Sequence, residues 1–148
     1  MQISEILSAE RICCDSGDAS KKAVLEKLAG LIASGSSNLT QKEVFDSLLT
    51  RERLGSTGLG HGVAIPHGRL NHDNRTLGAF IRLQTPVDYD SPDREPVDIL
   101  FALLVPQEST DEHLRILSLL AEKFSDTNLL NQLRTEKSED VIFDLLSS

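Results

Sequence analysis

The sequence is poor in cysteine and has no long apolar run. Only two of the 148 residues are cysteines, Cys13 and Cys14. Because neighbouring side chains of an extended segment point to opposite faces, this pair suits neither a disulfide nor joint metal ligation. The pair instead predicts two small core residues in a reducing compartment. No stretch approaches the roughly 18 apolar residues of a membrane span, and the polar N-terminus lacks the pattern of a secretory signal. We therefore expect a cytoplasmic protein without a membrane span.

Positive charge is also scarce. The chain has 15 Lys and Arg against 23 Asp and Glu, so its formal net charge is -8. Nucleic-acid binding needs clustered positive charge to displace counterions, and this balance argues against it. The hydrophobic fraction of 39% and the charged fraction of 26% are typical of a globular protein. The length suits one domain, predicted to cover residues 1–148.

Helical patterns lie at both ends of the chain and strand patterns lie between them. Ser20 and the capping boxes at 40–43 and 109–112 precede apolar residues at helical spacing. Apolar runs that end at Pro66 and Pro106 suit strands. The predicted helices cover residues 20–34, 40–54, 109–120, 128–134 and 139–146, and the predicted strands cover 63–65, 77–83 and 97–105. This order predicts an α/β fold: a single-domain sandwich with a central mixed β-sheet flanked by helices on both sides.

Residues 51–69 form a glycine-rich segment with the composition of a phosphoryl-binding site. Five of the 9 glycines lie here, and they permit positive φ and unobstructed backbone N–H groups. The hydroxyls of Ser56 and Thr57, and the backbone at Gly58, are candidate donors to phosphoryl oxygens. Positive charge comes from Arg51, Arg53 and Arg69. The segment contains neither GxxxxGK[ST] nor GxGxxG, which argues against the familiar nucleotide sites.

His67 is the candidate nucleophile of this segment. It lies between Pro66 and Gly68, just after a predicted strand, which favours a ring presented to solvent at a strand end. A neutral imidazole is a competent nucleophile near pH 7. If a backbone carbonyl holds one ring N–H, the other nitrogen can take a phosphoryl group. Judged from the residue alone, a role in capping a turn is an equal alternative.

The motif from Arg51 to Gly68 resembles the signature of the IIA domains of the bacterial phosphoenolpyruvate-dependent phosphotransferase system. Within that system it is similar to the fructose/mannitol-type family and, more narrowly, to its nitrogen-regulatory branch. The likeness spans nearly the whole chain. It begins at residues 3–7 and includes residues 96–106 and His113.

The resemblance implies a phosphoryl carrier that needs no metal or cofactor in its own domain. It implies that His67 is phosphorylated on Nε2 by a histidine phosphocarrier protein. It further implies that His113 donates a hydrogen bond to the phosphoryl oxygens and that Arg51 neutralises their charge. Without the resemblance, His113 is an ordinary imidazole in the first turn of a helix, where the dipole lowers its pKa.

Two more histidines need interpretation. His61 stands where the family usually has Asn or another small polar residue. It borders the expected site, and exposure or modest tuning of His67 is favoured over a catalytic role. His72 lies in a polar turn and is expected to be solvated.

Three functions remain open at this point. The first is a regulatory switch whose phosphorylation alters binding to partners such as a potassium transporter or a sensor kinase. The second is a sugar-specific IIA component that passes its phosphoryl group to a IIB domain. The third, a metal-dependent or hydrolytic enzyme using His61, His67 and His113, lacks a carboxylate at ligand spacing and a serine nucleophile motif.

Overall fold

The computed structural model describes residues 2–71, 74–108 and 110–148. The helices are α1 (Ile3–Ile6), α2 (Lys21–Ala33), α3 (Gln41–Glu52), α4 (Thr110–Lys123), α5 (Thr127–Thr135) and α6 (Glu139–Ser147). The strands are β1 (Ile12–Ser16), β2 (Gly58–Gly60), β3 (Val63–Ala64), β4 (His67–Leu70), β5 (Leu77–Val87) and β6 (Val97–Pro106). A short 3-10 turn at Ala9–Arg11 precedes β1.

The six strands in the described part of the chain form one mixed sheet, in which five follow the order β1-β5-β6-β3-β2 and β4 also pairs with β6. β1 runs parallel to β5, whereas β5 is antiparallel to β6 and β2 is antiparallel to β3. β3 and β4 both run parallel to β6: Val63 pairs with Ile99 and, further along, His67 pairs with Leu103. The chain therefore leaves the edge of β6 after β3 and rejoins it at His67.

Helices cover both faces of this sheet, as predicted. The strand β6 alternates between two buried clusters, which is why it is apolar along its whole length. One cluster joins β6 to α4, α5 and α6, and it takes Ile99, Phe101, Leu103 and Val105 from the strand. The other joins β6 to α2 and α3, and it takes Leu100, Ala102 and Leu104. The predicted α/β sandwich is confirmed.

The predicted helix starts agree with the described caps. The side chain of Ser20 accepts a hydrogen bond from the Ala23 N–H, and that of Thr40 accepts one from the Glu43 N–H. Such caps satisfy backbone donors that a helix cannot use within its first turn. Ser109, the predicted cap of α4, lies outside the described residues.

The sequence patterns missed four short elements: α1, β1, β2 and β4. Gly58–Gly60 and His67–Leu70 carry few apolar side chains, so neither has the alternation that marks a strand. They become strands because they pair with β3 and with β6. β5 also extends to Val87, beyond the predicted end at Leu83.

The two cysteines lie on opposite faces of β1, as predicted. Cys13 packs on the cluster beneath α2 and α3, and Cys14 packs on the cluster beneath α4 to α6. Both are partly buried free thiols. Within the described residues, no helix combines the length and apolar character that crossing a bilayer requires.

Candidate functional site

The fold brings His67 and His113 together. His67 is the first residue of β4, and His113 lies in the first turn of α4, which follows β6 after a short loop. Since β4 runs parallel to the second half of β6 and Leu70 pairs with Pro106, α4 begins beyond the end of β4, and its first turn comes back to His67. The two ring centroids are 5.1 Å apart, and the ring planes are nearly perpendicular at 86°.

Gly68 allows α3 to lie directly against β4. A Cβ at this position would meet the Oγ of Ser47 and would lie 3.1 Å from the Ser47 carbonyl carbon. The same serine donates a 3.0 Å hydrogen bond to the carbonyl of Arg69. The glycine of the Pro-His-Gly motif is therefore required by packing between this helix and this strand.

The His67 ring is held by the backbone of its own segment. Its Nδ1 lies 2.8 Å from the Ile65 carbonyl oxygen. Because a carbonyl only accepts, this hydrogen bond places the ring proton on Nδ1 and leaves a lone pair on Nε2. Burial lowers the pKa of His67, and the positive charges of Arg51 and Arg69 lower it further against an opposing effect of the Ile65 hydrogen bond. The ring is therefore neutral near pH 7.

The ring of His67 is more enclosed than the sequence suggested. A solvent-facing imidazole was expected, yet only 9% of the residue is exposed. The reason is that His67 belongs to a strand covered by α3 on one side and approached by α4 on the other. Access to it runs through a cavity.

His113 is also neutral, with the opposite arrangement of its proton. The Nε of Arg69 donates a 3.1 Å hydrogen bond to its Nδ1, which must then be unprotonated. Burial lowers the pKa of His113 to about 4, with further lowering by His67 when that ring is protonated and by the positive charges of Arg69 and Arg51. The direction is the one expected from the sequence, but the main cause is burial instead of the helix dipole.

A cavity of about 770 Å³ opens over the two histidines. Its wall combines apolar side chains with two guanidinium groups and two carboxylates. The lining residues are Glu43, Asp46, Ser47, Thr50, Arg51, Leu54, His67, Gly68, Arg69, Leu70, His113, Leu114 and Leu117. Leu54 and Leu114 are 83% and 58% exposed, so the mouth of the cavity is an apolar surface.

Arg51 lies in this wall near the end of α3. Its Nη1 donates a 2.8 Å hydrogen bond to the Gly55 carbonyl, which holds the side chain across the turn that follows the helix. Its charge contributes to lowering the pKa of both His67 and His113. The structure therefore brings together the three residues His67, His113 and Arg51 that the resemblance implied.

Glu52, the next residue, points into the protein and organises a polar network. Its carboxylate accepts hydrogen bonds from the Thr57 hydroxyl and, at 3.0 Å, from the Tyr89 hydroxyl. It also accepts from the Thr57 N–H at 3.3 Å and pairs with Lys21 at 2.9 Å. Tyr89 is fully buried, and both its burial and the Glu52 charge raise the pKa of its hydroxyl. This network ties α2, α3 and the β5–β6 loop together.

The donors predicted to hold a phosphoryl group belong to this network. Thr57 is buried against Glu52, and the Ser56 hydroxyl lies 3.4 Å from the Tyr89 carbonyl while accepting from the Gly58 N–H at 3.1 Å. A Cβ on Gly58 would meet Ser91. None of Ser56, Thr57 and Gly58 is among the described residues that line the cavity. Their donors are already used within the protein, which argues against the predicted contact.

His61 stands apart from the two paired histidines. It is exposed, as expected, in the turn between β2 and β3, where its φ is 57° and its carbonyl accepts a hydrogen bond from Arg134. Among the described residues, the cavity wall does not include it, so the expectation that it borders the site is wrong. His72 lies outside the described residues.

Sequence reasoning treated Arg69 only as a nearby charge, and it missed Tyr89. The signal for Arg69 is its position two residues after His67, since alternate side chains of a strand share a face. No local signal marks Tyr89, which reaches Glu52 from 37 positions away.

Fold and site together define a class of protein: an α/β sandwich that presents a neutral histidine to a cavity beside a second histidine and two arginines. The family model described as "Phosphoenolpyruvate-dependent sugar phosphotransferase system, EIIA 2" matches residues 5–148. The chain belongs to this family. Membership supports a role as a phosphoryl carrier.

Individual relatives agree with this assignment. The chain is 41% identical over 152 residues to the nitrogen regulatory protein of Escherichia coli (strain K12), covering 99% of this chain and 90% of that protein. It is 30% identical over 145 residues to a "PTS system fructose-specific EIIA component" of Haloferax volcanii, covering 98% of this chain and 94% of that protein. The crystal structure of nitrogen regulatory protein IIA-Ntr from Neisseria meningitidis superposes with a TM-score of 0.92 at 46% identity. The match covers 97% of this chain and 98% of that one.

Proposed function

We propose that this protein accepts a phosphoryl group on Nε2 of His67 from a histidine phosphocarrier protein. The observation that supports this most directly is the hydrogen bond from Nδ1 to the Ile65 carbonyl, because it leaves Nε2 unprotonated on a cavity-lining ring. Neutral imidazole with a fixed tautomer needs no base to become a nucleophile.

The transfer exchanges one P–N bond for another. The Nε2 lone pair of His67 attacks phosphorus, and the P–N bond of the donor phosphohistidine breaks with its electron pair returning to the donor ring. The Nδ1 proton of His67 stays in place, and the Ile65 carbonyl offsets the positive charge that develops on the ring. Neither a metal nor a separate proton acceptor enters this balance.

The residues around His67 suit the charge of the moving group. Phosphoryl transfer depends mainly on positioning and on electrostatic stabilisation. We assign charge compensation to the guanidinium of Arg51 and hydrogen-bond donation to His113, whose Nε2 carries the proton. Ser56, Thr57 and Gly58 are assigned to the support of the fold.

We further propose that the phosphoryl group acts as a regulatory signal. It adds about -1.5 to -2 charges at pH 7, next to an exposed apolar mouth formed by Leu54 and Leu114. Such a charge disfavours an apolar contact and favours a basic one, so it can exchange one partner for another. Likeness to nitrogen regulatory proteins supports this reading for a single cytoplasmic domain covering residues 1–148. A potassium transporter or a sensor kinase is a candidate partner.

An alternative is a sugar-specific IIA component that hands the group to a IIB domain. The 30% identity to a fructose-specific EIIA component supports this alternative. A phosphorylated sample mixed with a fructose- or mannitol-type IIB domain separates the two: rapid loss of label to IIB supports uptake, and retained label supports regulation.

The primary test is labelling with phosphoenolpyruvate, enzyme I and the phosphocarrier, followed by intact mass spectrometry. We expect one acid-labile phosphoryl group on the wild-type protein and none on His67→Ala. His61→Ala is the matched control, because it removes an exposed imidazole outside the cavity wall, and it should label normally. Normal labelling of His67→Ala would contradict the proposal and move the nucleophile to His61 or His113.

A further inference from the structure

Arg69 contacts the second histidine of the site directly. Its Nε donates to Nδ1 of His113 at 3.1 Å. The other side of the guanidinium is also held, because Nη1 lies 3.3 Å from the Gln107 carbonyl and 3.3 Å from the Thr110 hydroxyl. The side chain thus spans from β4 to the loop and first turn that carry His113.

We infer that Arg69 is a positioning residue for phosphoryl transfer, which fixes His113 in the tautomer that bears its proton on Nε2. An arginine can only donate, so the contact is possible only when Nδ1 of His113 is an acceptor. In a neutral ring the proton must then sit on Nε2. This inference rests on the proposed function of His67, whose phosphoryl oxygens would receive that proton's hydrogen bond.

The two rings have complementary proton positions. His67 is held with its proton on Nδ1 by the Ile65 carbonyl, which makes Nε2 the nucleophile. His113 is held with its proton on Nε2 by Arg69, which makes Nε2 the donor. The perpendicular rings, 5.1 Å apart and both lining the cavity, therefore provide one acceptor nitrogen and one donor nitrogen. Without Arg69, nothing described in the structure selects the tautomer of His113.

Arg69 also disfavours a charged His113. Protonation of Nδ1 would break the hydrogen bond and face the new N–H to a guanidinium. The charged groups around the ring are His67 and Arg69 on β4 and Arg51 on α3, all of the same sign when ionised. The low pKa of His113 agrees with this arrangement.

The local sequence explains how Arg69 reaches this position. His67 and Arg69 are alternate residues of β4, so both side chains project from one face of the strand. Gly68 between them faces α3. The tripeptide His-Gly-Arg therefore carries the nucleophile, the close helix contact and the positioning side chain.

The test compares Arg69→Met, which keeps an unbranched apolar stem and removes the donor, with Arg69→Lys, which keeps a charged donor. Arg115→Gln is the control, because it removes a positive charge from an exposed position on α4, the helix that carries His113, outside the cavity wall. Nitrogen-15 NMR of unphosphorylated protein reads the His113 tautomer. We expect proton on Nε2 in the wild type, in Arg115→Gln and in Arg69→Lys, and a mixture of tautomers in Arg69→Met.

Labelling kinetics give the second readout. We expect Arg69→Met to be slowed about tenfold, as for the loss of one charge-assisted hydrogen bond, and Arg69→Lys to recover most of the rate. In a His113→Gln background, Arg69→Met should slow labelling no further if it acts through His113. If Arg69→Met is unstable, Arg69→Lys takes its place: its labelling rate is compared with that of Arg69, both with His113 present and in the His113→Gln background.

Two results would overturn the inference. One is a slowed Arg69→Met whose His113 tautomer is unchanged, since Arg69 would then act through its charge alone. The other is an Arg69→Met that matches the wild type in tautomer and rate. Neither result touches the proposed function, which fails separately if His67→Ala still labels.

Discussion

The two halves of the glycine-rich segment use similar residues in different ways. In the first half, Ser56 and Thr57 direct their donors to Tyr89 and to the buried Glu52. In the second half, His67 and Arg69 line an open cavity and lie close to a third side chain, His113. Ser56 and Thr57 have their polar groups satisfied inside the protein, whereas His67 and Arg69 present theirs to the cavity.

This difference shows that donor chemistry alone does not define a phosphoryl site. Hydroxyls and free N–H groups near arginines suit phosphate, but they are available only if no internal acceptor takes them first. Buried Glu52 is such an acceptor, because a buried carboxylate must be paired and hydrogen-bonded. The comparison predicts that removing Glu52 or the polar groups bonded to it lowers stability, whereas removing the polar groups of His67, Arg69 or His113 slows transfer.

Glu52→Ala should have the greatest effect, and on stability. It leaves Lys21 without its ion-pair partner and the hydroxyls of Thr57 and Tyr89 without their acceptor. Breaking a buried pair in this way costs about 3 to 5 kcal/mol. Urea unfolding measures the loss. Glu26→Ala, which removes an exposed carboxylate paired with Lys22 at 3.9 Å, should change stability by less than about 1 kcal/mol. Equal losses of stability in Glu52→Ala and Glu26→Ala would show that the buried network contributes no more than an exposed ion pair.

His113→Ala should slow labelling about a hundredfold, as for loss of a positioned hydrogen-bond donor to the transferring group, while the protein stays folded. Its ring lies beside His67 and lines the cavity. The rate follows from timed mass spectra after addition of phosphorylated carrier, with circular dichroism to verify the fold. An unchanged rate in a folded variant would return His113 to a purely structural role.

Gly68→Ala should lower the thermal midpoint, corresponding to about 1 to 3 kcal/mol of overpacking. Its Cβ would push α3 from β4 at Ser47. Gly17→Ala is the control, because a Cβ there meets only Gln84 at 3.9 Å. If Gly68→Ala melted like Gly17→Ala, the close approach of helix and strand would not be required.

The free energy of unfolding should fall as the pH is lowered below about 6.5, which is the ordinary pKa of histidine. His67 and His113 have lowered pKa values when folded, that of His113 about 4, so the unfolded chain takes up protons first. The stabilisation is complete above 6.5 and is lost progressively toward pH 4. Urea unfolding across this range checks it. In His113→Gln the slope should be shallower, and an identical slope would show that this ring does not contribute.

Ser56→Ala should have the smallest effect. Its hydrogen bond to the Tyr89 carbonyl is long at 3.4 Å, so we expect a loss of about 1 kcal/mol or less and normal labelling. A clear drop in the labelling rate, with stability unchanged, would place Ser56 with the phosphoryl group after all and break the comparison.

Sequence patterns predicted the parts of this fold that depend on local periodicity. The caps at Ser20 and Thr40 and the buried run of β6 follow from side chains within a few positions of each other. The pairing of His67 with His113 came from resemblance to a family. No local pattern could show that Ser56 and Thr57 contact Tyr89, because that residue lies more than 30 positions away.

The amino-acid order by itself therefore determined the helical layers and the central strands, and it marked the glycine-rich segment as a candidate site, since these depend on neighbours along the chain. Only the tertiary structure decided which donors remain free, which nitrogen of each imidazole carries the proton, and that His67 is enclosed. These properties depend on hydrogen-bond partners and on burial by segments that are distant in sequence. A local sequence pattern therefore does not predict these properties.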